Sequence, residues 1–195
     1  MKKLILSYML LTVVSHSAYA ALAEGLPAPD FKLQASLAGT AFNFSLSEAL
    51  KKGPVVVYFY PSAYTGGCNI QAHEFSVNRD KFAEAGASVI GVSLDSIERL
   101  NDFSADANYC AGKVAVASDV DGKIAKSYEL SVRDTAAGRK DTRGIEINHG
   151  FAERTTFIVT PDGRIAATLT GLTPSVNVAK SLEVVQQLAD AKKIR

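Results

Sequence analysis

The sequence predicts an α/β fold: a central, mainly parallel sheet with an antiparallel hairpin at one edge and helices on both faces. Three observations predict it. Runs rich in β-formers at 55–60, 87–94 and 114–117 alternate with stretches of helical character, the pattern of parallel strands joined by crossover helices. Pro161-Asp162-Gly163 separates two further strand-like runs, 155–159 and 165–170, which makes a hairpin. From Pro174 onward, Val178, Leu182, Val185 and Ala189 recur at helical spacing, giving one apolar face.

The chain has 195 residues, and its start reads as an address. Lys2 and Lys3 precede an apolar stretch at 4–14 that is too short to span a bilayer comfortably. Ala18-Tyr19-Ala20 then supplies a small-x-small cleavage site. These features predict a signal peptide cut after Ala20 and export, to the periplasm if the source is Gram-negative. The remaining 175 residues (195 less 20) suit one domain, 21–195, with a full core. Without Lys2 and Lys3, 19 basic residues (21 less 2) face 20 acidic ones, a formal charge of −1. Such a balance calls for neither nucleic acid nor an anionic membrane. Two cysteines are present, Cys68 and Cys110. In an oxidising compartment an even pair reads first as a structural disulfide.

Taken in order, 21–29 is a linker with Pro27 and Pro29, and short strands at 31–34 and 41–44 form a hairpin ahead of the core. Ser45 or Ser47 caps a brief helix through Leu50, which Gly53-Pro54 ends. The strand at 55–60 is broken by Pro61 and by Gly66-Gly67, and a helix is expected over 69–84, with Ile70, Phe75, Phe82 and Ala83 as its apolar positions. Asp95-Ser96 caps a helix over 97–107, with Gly112 marking its end. A turn at 119–122 leads to a helical turn carrying Ile124, Ala125 and Tyr128. Residues 131–149 are the least patterned part and read as a long surface loop, with a short strand near 145–147. This order, β–α–β–α–β, loop, β–β–α, is the layout of a thioredoxin-like fold with an N-terminal extension.

The chemistry centres on Cys68, which follows a buried strand and a tight loop at the start of a helix. Unpaired backbone N–H groups and the positive end of the helix dipole favour an anion there. For cysteine the anion is the thiolate, the nucleophilic form.

Pro61-x-x-x-Thr65-x-x-Cys68 resembles the active-site pattern of the peroxiredoxins. The likeness extends to 56–61, 91–96, Ser118-Asp119 with Asp121-Gly122-Lys123, and 154–159. It is strongest toward the bacterioferritin-comigratory, or Q-type, branch and covers about 26–188. The resemblance implies a thiol peroxidase acting on hydrogen peroxide or a small organic hydroperoxide, without metal, haem or flavin. It makes Cys68 the peroxidatic nucleophile, Thr65 and Arg154 the residues that meet the peroxide, and Pro61 the wall that shields the sulfur. Physical chemistry supports each role. A hydroxyl both donates and accepts, a guanidinium is a permanent cation, and proline is stiff and lacks an N–H. Each residue also has a plainer reading: a half-cystine for Cys68, a loop or cap residue for Thr65, a strand terminator for Pro61, and a surface side chain for Arg154.

Two positions depart from the branch. Gln71 stands where a glutamate is usual, which removes a carboxylate and leaves hydrogen-bonding capacity to hold the loop or the arginine. His73 occupies the position at which many members carry the resolving cysteine, and reads as a helix-surface or half-buried residue. Cys110 is then the candidate for resolution, near the end of the helix over 97–107, although a buried apolar cysteine is its plainer reading. The implied cycle oxidises Cys68 to a sulfenic acid and condenses it with Cys110. A thioredoxin-like or other dithiol partner then reduces the disulfide. The chain is expected as a monomer or homodimer. Two other functions fit parts of the sequence. One is an exported thioredoxin-fold disulfide oxidoreductase, weakened by the lack of Cys-x-x-Cys. The other is a non-enzymatic domain held by a Cys68–Cys110 disulfide.

Overall fold

Val55-Val56-Val57-Tyr58-Phe59 has no polar face, and a strand of that kind must be covered on both sides. In the computed structural model, which describes residues 21–194, these residues form β3 (Val55–Phe59), buried at every position. The expected signal peptide lies outside the described residues. β3 pairs in parallel with β4 (Ser88–Ser93), and β4 with β5 (Ala115–Ser118). On its other side β3 pairs antiparallel with β8 (Thr155–Val159), which pairs antiparallel with β9 (Ile165–Thr170). The Asp162-Gly163 turn between them is closed by the Gly163 N–H to the Thr160 carbonyl at 2.8 Å.

The N-terminal hairpin, β1 (Lys32–Leu37) and β2 (Thr40–Ser45), is part of this sheet. β1 pairs antiparallel with β5, giving seven strands in the order β2-β1-β5-β4-β3-β8-β9. The parallel core is therefore flanked by an antiparallel hairpin at each edge. The turn residues Ala38 and Gly39 both have positive φ, 51° and 80°, the geometry whose twist matches two flanking strands.

Alternation along β3 divides the core. Val55, Val57 and Phe59 face a cluster that includes Leu46 and Leu50 of α1 (Leu46–Leu50) and Ala125 of α5 (Lys123–Ser127). Val56, Tyr58 and Tyr60 face the other cluster, covered by α2 (Gly66–Val77), α3 (Arg79–Glu84), α4 (Ile97–Ala105) and α6 (Pro174–Lys193). Cys68 and Cys110 both belong to this second cluster.

Three elements differ from expectation. The helix over 69–84 begins earlier, at Gly66, and is split in two at Asn78. The Asn78 side chain donates to the Glu74 carbonyl at 2.9 Å, a local bond that competes with helix continuation. The helix over 97–107 stops at Ala105, so Cys110 sits in the following turn. There Ala111 and Gly112 take positive φ, and the Gly112 N–H returns to the Ser104 carbonyl. The strand near 145–147 is reduced to one bridge, Lys140 with Glu146. The short strands nearby are instead β6 (Val132–Arg133) and β7 (Phe151–Ala152), which pair with each other.

Candidate active site

β8 runs antiparallel to β3 with Thr155 opposite Phe59. The residue before Thr155 therefore lies beside the end of β3, where the chain turns into α2. That residue is Arg154. Thr65 is the N-cap of α2, with extended backbone. The first intrahelical bond runs from the Asn69 N–H to the Thr65 carbonyl at 2.8 Å. The amides at 66–68 precede that bond and have no carbonyl one turn back to pair with. Cys68 is the third residue of the helix, within its positive end.

The Cys68 side chain is buried, with 2% exposure. Its sulfur accepts a hydrogen bond from Arg154 Nη2 at 3.2 Å. The other terminal nitrogen, Nη1, donates to Gln71 Oε1. Cys68 and Gln71 are three residues apart and so share a helix face, which lets one guanidinium meet both. Gln71 is fully buried and passes the chain of bonds on, its Nε2 donating to Asn177 Oδ1 at 3.0 Å. The glutamine at this departure from the branch thus holds the arginine through a neutral amide. A Cβ at Gly67 would stand 3.2 Å from Arg154 Nη2, so a bare backbone lets the guanidinium close on the first turn.

The Thr65 hydroxyl does not cap the helix. It donates to the Ser62 carbonyl at 2.8 Å, which leaves its lone pairs for an incoming O–H. Pro61 is half-buried in the same loop. His73 lies on the exposed side of α2, where its Nδ1–H donates to the Asn108 carbonyl at 3.1 Å, in the turn that carries Cys110. Cys110 is completely buried, and both cysteines are free thiols. Burial, reinforced by Asp106, pushes the Cys110 thiol well above its ordinary range. The structure thus brings Thr65, Cys68, Gln71 and Arg154 together, and places Cys110 in the same core cluster without a bond to them.

A second polar network holds the loop in place. Asp95, fully buried, accepts from the Ala63 N–H at 2.7 Å, from the hydroxyls of Ser62 and Ser93, and from His149 Nε2 at 2.9 Å. Arg99 lies 2.8 Å from both Asp95 and Asp141. Thr142 bonds the Tyr64 carbonyl through both its N–H and its hydroxyl at 2.9 Å. Arg143 lies 3.3 Å from the Tyr64 ring centroid. These contacts hold Tyr64 at φ 59°, a conformation that costs a bulky residue about 1–3 kcal/mol. The stretch at 131–149, read from sequence as a surface loop, is therefore fastened to the segment that presents Thr65. The roles of Asp95, Asp141, His149 and Asn177 escaped the sequence reading because the contacts that tie them to the site, Asp95 with Ala63 and His149, Asp141 with Arg99, and Asn177 with Gln71, are remote in the chain. The one signal available was a polar Asn177 beside an apolar helix seam.

The His149–Asp95 contact makes a pH prediction. Burial lowers the imidazole's proton affinity, but the bond to and charge of Asp95 outweigh it, so His149 is raised from its ordinary value. A raised histidine contributes stability that is full below the unfolded value, about 6.5, and is lost as pH rises through the folded value. Wild type is expected to lose melting temperature between pH 6 and 8 relative to His149→Gln, with scanning fluorimetry across that range as the check. Parallel curves would contradict the assignment.

A buried thiol that takes a guanidinium hydrogen bond at a helix N-terminus, on a thioredoxin-like sheet, defines a thiol-dependent peroxidase of the peroxiredoxin class. Comparison with known proteins agrees. The AhpC/TSA family model matches residues 25–168. A putative peroxiredoxin bcp of Helicobacter pylori is 34% identical over 139 residues, covering 71% of this chain and 82% of that protein. The crystal structure of the peroxidoxin BcpB of Mycobacterium tuberculosis superposes with a TM-score of 0.70 at 26% identity, covering 85% of this chain and 97% of that one. A structure of the Xanthomonas campestris bacterioferritin comigratory protein, concerned with its alkyl peroxide reduction activity, matches with TM-score 0.63 at 25% identity, covering 80% and 92%. The chain belongs to the AhpC/TSA family, and within it to the bacterioferritin-comigratory, or Q-type, peroxiredoxins. It reduces peroxide at the expense of a thiol reductant.

Proposed function

We propose that Cys68 is the peroxidatic nucleophile and that Cys110 resolves it. The observation that carries this reading is the Arg154 Nη2 to Cys68 Sγ contact of 3.2 Å on a buried sulfur. A thiolate there attacks one peroxide oxygen. The O–O bond breaks, the sulfur becomes a sulfenic acid, and the other oxygen leaves as hydroxide or alkoxide and takes up a proton. Arg154 stabilises charge on sulfur and on the leaving oxygen. Thr65 accepts from the peroxide O–H, and Pro61 shields the sulfur. The amides of the first α2 turn add further N–H donors.

Resolution joins the Cys110 thiol to the sulfenic sulfur and releases water. A disulfide needs Cα atoms within about 7 Å, and a buried Cys110 with raised proton affinity is a poor nucleophile. Opening of the first α2 turn and of the turn bearing Cys110 therefore precedes this step. The substrate in this reading is hydrogen peroxide or a small organic hydroperoxide, and the alkyl peroxide reduction activity of the Xanthomonas campestris protein supports the organic one. A thioredoxin-like or other dithiol protein closes the cycle. The basic, apolar, small-residue start of the chain supports export of one mature domain, to the periplasm if the source is Gram-negative.

Mass spectrometry of the reduced protein after one equivalent of hydrogen peroxide tests the cycle. Wild type is expected to lose two hydrogens rapidly, while Cys110→Ser accumulates a trappable sulfenic acid on Cys68. A sulfenic acid in both would remove Cys110 from the cycle. No reaction in either would remove Cys68.

A further inference from the structure

The guanidinium that meets Cys68 is held by a side chain with two different ends. Gln71 must point its oxygen at Arg154, because its NH2 group would oppose the Nη1 donor. Nothing within Gln71 selects that orientation. The guanidinium, a donor only, asks for that oxygen, and the choice is reinforced from α6. Asn177, 1% exposed, lies in its first turn. Its Nδ2 donates to the backbone carbonyl of Leu169 on β9 at 3.3 Å. A backbone carbonyl accepts only, so the NH2 end of Asn177 is fixed toward β9. Its Oδ1 then faces the other way, where it accepts from the Thr156 hydroxyl at 2.7 Å and from Gln71 Nε2 at 3.0 Å. With its NH2 committed, Gln71 presents Oε1 to Arg154 Nη1, and Nη2 is left for the sulfur.

From this we infer that Asn177 is a positioning residue for the peroxide-reducing site. Its amide carries the polarity of a β9 carbonyl through Gln71 to the guanidinium, and so sets Arg154 against Cys68. The inference rests on the reading of Cys68 and Arg154 as the reacting pair. It also accounts for a glutamine at 71. A carboxylate there would offer no donor to Asn177 Oδ1, whereas an amide satisfies both neighbours at once.

The test uses the full-length protein, pre-reduced, with the second-order rate of Cys68 oxidation by hydrogen peroxide measured from pH 5 to 9. Asn177→Leu removes both polar ends while keeping the branched shape, and is expected to slow the reaction about tenfold or more, the scale of losing the Gln71 bond to the charged guanidinium. Asn177→Asp is the sharper arm. As a neutral acid it donates to Leu169 and accepts from Gln71 and Thr156, reproducing the native polarity. Once ionised it can still accept from Gln71 and Thr156, but its second oxygen repels the Leu169 carbonyl, which drives the side chain off the position from which it holds Gln71. Its rate relative to wild type is expected near unity at acid pH and to fall as pH rises. Ser181→Ala, which removes a buried bond to the Asn177 backbone carbonyl on the same helix, serves as a comparison for stability loss alone. It should show a rate ratio that does not vary with pH. Asn177 variants within about twofold of wild type at every pH would overturn the inference, and so would an Asp ratio as flat as that of Ser181→Ala. Should the leucine variant not fold, the aspartate profile decides. A wild type with no Cys68-dependent oxidation would instead overturn the reading beneath it, an outcome visible before any Asn177 variant is compared.

Discussion

Replacing Arg154 by lysine is expected to lower the rate of peroxide reduction by about two orders of magnitude, the scale for losing one preorganised donor at a developing charge. Charge is retained in this variant, so electrostatics alone would predict a small effect. The geometry predicts a large one. Arg154 uses its two terminal nitrogens at once, Nη2 on the Cys68 sulfur and Nη1 on Gln71. A lysine ammonium is a single point on a flexible stem and cannot reproduce a planar fork. Stopped-flow measurement of Cys68 oxidation provides the check. A lysine variant within about threefold of wild type would mean that net charge suffices and that the fork has no role.

Gly91→Ala is expected to cost about 3 kcal/mol of stability, at the upper end for overpacking a core. Tyr58 is the cross-strand neighbour of Gly91, and a Cβ at Gly91 would stand 2.5 Å from the Tyr58 ring. The ring has no room to retreat. It stacks on Phe75 at 4.5 Å and on Tyr60 at 5.4 Å, and Tyr58 is 1% exposed. At roughly 2–4 °C per kcal/mol for a chain of this size, the melting temperature should fall by about 6–12 °C. Calorimetry decides the matter, and a shift under about 2 °C would show that β4 yields more readily than its packing implies.

Most of the sheet was legible in the sequence because its strands are continuous apolar runs with breakers at their ends. The positions of β3, β4, β8 and β9 fall within a residue or two of expectation. The N-terminal hairpin was legible too, but its place at the second edge of the sheet was not, since whether β1 joins β5 depends on tertiary pairing that local pattern does not encode. The helix over 69–84 carried no Gly or Pro to mark its division. The break came from one asparagine side chain reaching its own helix. At the site, the family resemblance pointed to Thr65, Cys68 and Arg154, and the structure places all three at the mouth of α2. The supporting residues were illegible for a physical reason. Asn177 is 106 residues from Gln71 and His149 is 54 from Asp95, and such pairings become visible only when the chain has folded.

The interruption at Asn78 has a mechanical consequence. It makes α2 an independent segment of about three turns, with Phe75 and Ser76 seated in the core near its far end and α3 anchored separately by Phe82. Fraying that begins at Cys68 can therefore stop at a built-in boundary instead of running into the next helix. The work of exposing the sulfur is set by one short segment and not by the cohesion of the whole molecule. Redox turnover and heat resistance thereby become separately adjustable. Substitutions that tighten the opposite face of the sheet, around Phe157 and Tyr128, can raise the melting temperature without slowing the catalytic cycle.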